Sequence, residues 1–303
     1  MVQLDSPYRE KRIKQFPNLP SPGGKGDGEP MNRKMVRVRE LADWGFDDYE
    51  YRRNIFDSAK ACGEVNLTSK RQSFAQSKVL LAQETAALHD ALMAQMSRAD
   101  LLTEMLGLEW SLGVVDLRCL IAFQRRLIFD PEVSALRVPF GGDWPALTAL
   151  SFGPAKSVKC DLIRDASANT IVLRSTNPNL HFRTSSEVAT LLSVHAGSPF
   201  FEVAHFRGRW FLRDGYHRAY ALLRAHIFAI PAVIVQARTI EELGATRPWF
   251  FPEEVLFSDA PPIIADFLDD ELVLEYERPK MIKTLRIVLE ETLTPIPPVG
   301  DPL

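Results

Sequence analysis

Three kinds of feature are scarce in this chain. Only three of its 303 residues are cysteine (Cys62, Cys119 and Cys160), an odd number with no Cys-x-x-Cys pair. That excludes a disulfide framework and the usual zinc motifs, and it fits a reducing compartment. No run approaches the roughly 18 consecutive apolar residues that a membrane span requires. The first twenty residues are polar and basic without an apolar stretch, so no secretory signal is expected and the chain reads as cytoplasmic. A surplus of charge is also missing: 36 Lys and Arg against 39 Asp and Glu leave a formal charge of −3. Nucleic-acid binding through bulk charge is therefore not expected, although a local basic patch is compatible with that total.

What is present is ordinary globular material, with 46% hydrophobic, 25% charged and 10% aromatic residues. The length suits one large domain or two smaller ones. Residues 1–40 read as a disordered basic arm. Pro17, Pro20, Pro22, Gly23, Gly24, Gly26, Gly28 and Pro30 break any helix or strand, and Lys11, Arg12, Lys14, Arg33, Lys34, Arg37 and Arg39 flank them. Such an arm either touches a phosphate or acidic partner or is simply solvated.

Residues 41–135 read as a helical region. Across residues 68–96, Leu81, Leu88 and Leu92 share one face while Val79, Ala82, Ala86, Met93 and Met96 share another. A helix apolar on two sides needs cover on two sides, from core packing or from a second copy of the chain. The latter is a homodimer through the N-terminal helices. A second helix is predicted after Asp116, where Leu117, Leu120, Ile121, Leu127 and Ile128 recur at helical spacing before Asp130-Pro131. Residues 136–294 read as an α+β domain and residues 295–303 as a flexible tail. Two hairpins are predicted there, one from residues 159–163 and 170–173, the other from residues 271–277 and 283–289.

The stretch with chemistry in it runs from Thr184 to Gln236. Thr184-Ser185-Ser186-Glu187 matches a capping box and predicts a short helix carrying Val188, Leu191, Leu192 and His195. A strand, the turn Arg207-Gly208-Arg209 and a returning strand follow. Asp214-Gly215-Tyr216-His217-Arg218 then leads into a helix, and Ile230-Pro231-Ala232-Val233-Ile234-Val235 reads as a buried strand. A helix start carries partial positive charge and unpaired N–H groups, so cations in its first turn are unfavourable. Here His217 and Arg218 occupy that turn, with Arg213 just upstream. An anion at the junction makes sense of that polarity, and Gly215 lets it approach the backbone. Alternatively, Asp214 caps the helix and pairs with Arg213 or Arg218.

The order of these elements, with Gly215-Tyr216-His217-Arg218-Ala219-Tyr220-Ala221 at the helix start, resembles the ParB/sulfiredoxin superfamily over residues 180–236. The resemblance implies an α+β fold in which a ParB/sulfiredoxin-like module is joined to a helical N-terminal region and additional strands. It also implies a nucleoside triphosphate, ATP or CTP with Mg²⁺, held by Gly215, Tyr216, His217, Arg218 and Arg213. Sulfiredoxins place a catalytic cysteine where this chain has Tyr216, so sulfinic-acid repair is not expected. Phosphotransfer or NTP hydrolysis needs a carboxylate, and Asp214, Glu187 and Glu202 are the candidates. The alternative is a nucleotide-responsive interaction or DNA-associated regulatory protein with little or no turnover. No residue is assigned to a metal site. His181, His195, His205 and His226 read as hydrogen-bonded histidines, and Asp266, Asp269, Asp270 and Glu271 as a solvated helix end.

Overall fold

The computed structural model describes residues 34–41, 79–81, 86–133, 136–154, 159–165, 169–177, 179–184, 192–247, 249–288, 290 and 292–293. Glu187, the predicted tail at residues 295–303 and most of the predicted arm lie outside these. In chain order the elements are β1 (Met35–Leu41), β2 (Leu80–Leu81), α1 (Ala86–Met96), α2 (Ala99–Glu104) and β3 (Trp110–Asp116). A 3-10 turn at Leu117–Cys119, β4 (Ile121–Ala122), β5 (Arg126–Phe129), α3 (Trp144–Ser151), β6 (Asp161–Asp165) and β7 (Thr170–Ser175) come next. Then follow β8 (Leu180–Thr184), β9 (Leu192–Ala196), β10 (Glu202–Phe206), β11 (Arg209–Asp214), α4 (Tyr216–Arg224) and β12 (Ala229–Gln236). The last are α5 (Ile240–Leu243), α6 (Glu253–Leu256), a 3-10 segment at Ile264–Leu268, β13 (Val273–Pro279) and β14 (Lys283–Val288). The class is mixed α+β.

A sheet of order β2-β3-β12-β10-β11-β4 holds the core. Its middle strand β12 is buried from Ile230 to Val235, as the unbroken apolar run demands. Pro231 is tolerated there for a geometric reason. Val233 donates its N–H to Phe201 O, and the parallel ladder with β10 starts at Glu202↔Val233. Two residues earlier, the nitrogen of Pro231 faces the same side, beyond the end of β10, where no donor is needed. Helix α4 lies between β11 and β12 in the chain and buries Tyr216, Ala219, Tyr220, Leu222 and Leu223, an i, i+3, i+4, i+7 stripe.

Several expectations are corrected. The chain from Leu117 to Ile128 is not a helix: Asp116 does cap, accepting the Arg118 amide at 2.9 Å, but only a 3-10 turn follows before β4 and β5. Residues 68–96 are not one helix either, since β2 pairs with β3 and α1 starts at Ala86. Within α1, Leu88 and Leu92 are buried while Met93 and Met96 are exposed, so one face alone is covered by the described residues. The helix predicted after the capping box is replaced at Leu192–Ala196 by β9, paired antiparallel with β8; the capping-box residues Ser185 to Glu187 are outside the described residues. The hairpin of β6 and β7 forms as predicted. The one at the C-terminus does not, because β13 pairs with β1 and β14 with β7.

The boundary expected at residue 135 also dissolves. Strands β2, β3 and β4 share a sheet with β10, β11 and β12 across it. At the N-terminal side, residues 35–41 are strand rather than arm. Buried Arg39 donates to Phe267 O at 2.5 Å, Glu275 at 2.5 Å and Asp270 at 2.6 Å. Glu40, wholly buried, accepts from the Tyr276 hydroxyl at 2.8 Å and meets Arg126 at 3.0 Å. These contacts lock β1 between β13 and β5. They also engage Asp270, while Asp266 accepts the Ile263 amide and Asp269 the Glu271 amide, so that acidic stretch is used locally.

Candidate site at the β11–α4 turn

The turn is built by a hairpin and a glycine. Arg207 and Gly208, both at positive φ, reverse the chain so that β11 returns beside β10 and sets Asp214 opposite Glu202. Gly215 follows at φ +104° and forms the N-cap of α4. A Cβ at this position would lie 2.6 Å from the Phe201 ring. Glycine is thus required by the left-handed backbone and by Phe201 packing; the space expected for an approaching anion on that side is filled by the ring.

Each predicted site residue has a definite place. Tyr216 points inward, and its hydroxyl accepts the amides of Phe123 and Gln124 at 3.0 and 3.1 Å, bolting the start of α4 to the segment between β4 and β5. Burial pushes the Tyr216 phenol up. His217 is exposed, with Nε2 2.9 Å from Ile128 O and its ring edge-on to Phe129 at 5.5 Å. Arg218 turns the other way. Its Nη1 donates to Leu150 O at 3.1 Å and Pro199 O at 2.8 Å, and its Nη2 to Phe200 O at 2.5 Å. The expected convergence of His217 and Arg218 on one guest is therefore corrected: the two side chains serve different neighbours. Burial lowers the Arg218 guanidinium, while Asp214 and Glu202 act in the opposite direction.

The carboxylates are engaged as well. Glu202 is only 2% exposed and pairs with Arg213 at 2.5 Å. Burial pushes its carboxyl up, with Arg213 pulling down and Asp214 pushing up. Asp214 is not the N-cap. Its Oδ2 accepts the Ser198 amide at 3.4 Å, and its Oδ1 stands 3.6 Å from Arg218 Nη2. Glu202 is not placed as a general base at the surface. Among the described residues no group of three or more His, Cys, Asp or Glu side chains forms a metal site. His205 bonds Gln236 at 3.1 Å and His181 bonds Asn179 O at 2.8 Å, while His226 is exposed.

Sequence reasoning did not identify Ser198, nor the carbonyls of Leu150, Pro199 and Phe200 that surround Arg218. The only local signal is Pro199-Phe200-Phe201 before a strand, a rigid entry followed by two large apolar anchors. The first turn of α4 has no capping side chain and no acidic residue. No family model matches this chain, and neither does any curated protein or solved structure.

The Tyr216 bolt yields a direct expectation. Tyr216→Phe leaves two amide donors without their acceptor and lowers unfolding stability by about 1–3 kcal/mol. Urea unfolding measures this, and a change near zero would show that the hydroxyl carries no such load.

Proposed function

We propose that the protein binds the phosphates of a nucleoside triphosphate, ATP or CTP with Mg²⁺, at the β11–α4 turn, and that it responds to the nucleotide with little or no turnover. The observation that carries this reading is the bare start of α4. Gly215 brings no capping side chain, and no acid stands in the first turn, so the positive end of the helix dipole is left without a side chain of its own to answer it. Arg213 and Arg218 lie beneath the turn, each balanced by a carboxylate, and exposed His217 stands beside the same turn. The succession of hairpin, Gly215 turn, α4 and the parallel return strand β12 supports a ParB/sulfiredoxin-like module. The burial of Glu202 and the engagement of Asp214 favour a regulatory role over an NTPase or kinase.

A second reading has its own observation. Three carbonyl bonds to Arg218 are what a purely structural staple would make, in a scaffold that keeps the shape of the module without its ligand. A homodimer through α1 and α2 belongs with the first reading, since Met93, Met96, Leu102 and Leu106 are 37–54% exposed. Light scattering of the wild type and of Met93→Glu with Leu106→Glu tests it: a dimer that the substitutions dissociate supports it, and a wild-type monomer removes it.

Thermal unfolding with ATP, CTP, GTP and ADP, each with and without Mg²⁺, separates the two readings. A nucleotide at 100 times its Kd stabilises by about 2.7 kcal/mol, with little phosphate released over hours. If no nucleotide shifts the melting temperature, while Arg218→Ala lowers it, the staple alone remains. Little retention on duplex DNA at physiological salt is expected.

A further inference from the structure

Four charged side chains meet beneath the β11–α4 turn without surplus of either sign. Arg213 and Glu202 pair at 2.5 Å, and Asp214 and Arg218 pair at 3.6 Å. Ser198 links the two pairs, its amide on Asp214 and its side chain on Glu202, and Asp214 lies opposite Glu202 in the β10–β11 register. The cluster is neutral only while both carboxyls are ionised.

The two carboxyls are not equivalent. The Asp214 side chain is 32% exposed, so water helps to hold its charge. The Glu202 side chain is 3% exposed, with Arg213 and the Ser198 side chain as its partners. A carboxyl enclosed this deeply in a low-dielectric interior is the member of the cluster most easily neutralised. The other ionisable groups that act on Glu202 are Arg213 and Asp214 from β11, Glu104 from α2 and Arg218 from α4. Strand β12 presents apolar Val233 at that level.

We propose that Glu202 takes up a proton from bulk water when an anion binds at the β11–α4 turn. This rests on the phosphate reading above and concerns the regulation of that same site. Negative charge arriving at the first turn of α4 opposes the ionisation of both nearby carboxyls, and the buried one yields first. Its protonation leaves Arg213, Arg218 and Asp214, a cluster with one net positive charge that answers the guest. Glu202 is thus a positioning residue: it sets the charge beneath the turn and does not touch the ligand. Affinity for an anion rises as pH falls, because binding and proton uptake are linked.

Sulfate is the probe, since it stays doubly charged from mildly acidic to alkaline conditions. Calorimetric titration of the full chain over a pH series is expected to show affinity rising by up to about tenfold per pH unit within the titration range of Glu202, the limit for one linked proton. In Glu202→Gln that dependence flattens. Wild-type titrations in buffers of different ionisation enthalpy count the protons directly, so the test does not depend on how well the variant folds. Uptake of up to one proton per sulfate in the wild type supports the proposal. Sulfate binding with no uptake overturns it and leaves the phosphate reading standing. Uptake that Glu202→Gln retains assigns the proton elsewhere, to exposed His217 first, and also overturns it. No sulfate binding at any pH overturns both.

Discussion

The guanidinium of Arg218, held by the carbonyls of Leu150, Pro199 and Phe200, is the interaction on which the rest of this region depends. One rigid fork of donors joins the last turn of α3, the chain entering β10 and the start of α4. Because Phe200 and Phe201 are fully buried, that entry has no freedom to move, and Phe201 in turn fixes Gly215. The β11–α4 turn is therefore shaped from below. A helix start that would otherwise be mobile is held ready, which is what an anion site made of backbone amides needs.

The charges beneath the turn follow from the same arrangement. Arg218 cannot be buried on carbonyl dipoles alone, and Asp214 stands near enough to balance it. Arg213 and Glu202 repeat that balance one residue further back, in a drier place. Buried pairs of this kind contribute little to stability by themselves. Their consequence is electrostatic: the potential felt at the first turn of α4 depends on whether Glu202 carries its charge, which is the basis of the proposed link between anion and proton.

How much of this was legible in the sequence varies with the range of the interactions. The strands, hairpin, turn and helix over residues 202–236 could be read, because each is set by local patterning and by Gly208, Gly215 and Pro231. The false helix after Asp116 arose where Leu117, Leu120, Ile121, Leu127 and Ile128 fit a 3.6-residue period by chance. They are in fact short buried strands and a 3-10 turn, whose apolar runs carry no period of their own. The missing hairpin of β13 and β14 depended on partners about 110–240 residues away in sequence, which no local signal reveals. At the site the residue types were found but their directions were not. Gly215 was read as room for a ligand, whereas Phe201 fills that side. Arg218 was read as meeting an anion with His217 or as pairing with Asp214, whereas carbonyls from two other segments draw it in.

The central proposal is that the first turn of α4, steadied by Arg218, receives an anion. Amide NMR of the labelled protein titrated with Mg²⁺-CTP and Mg²⁺-ATP tests this most directly. The account predicts saturable shifts that are largest at Gly215, Tyr216, His217 and Arg218. Shifts confined to other elements, or none at any concentration of either nucleotide, would contradict it.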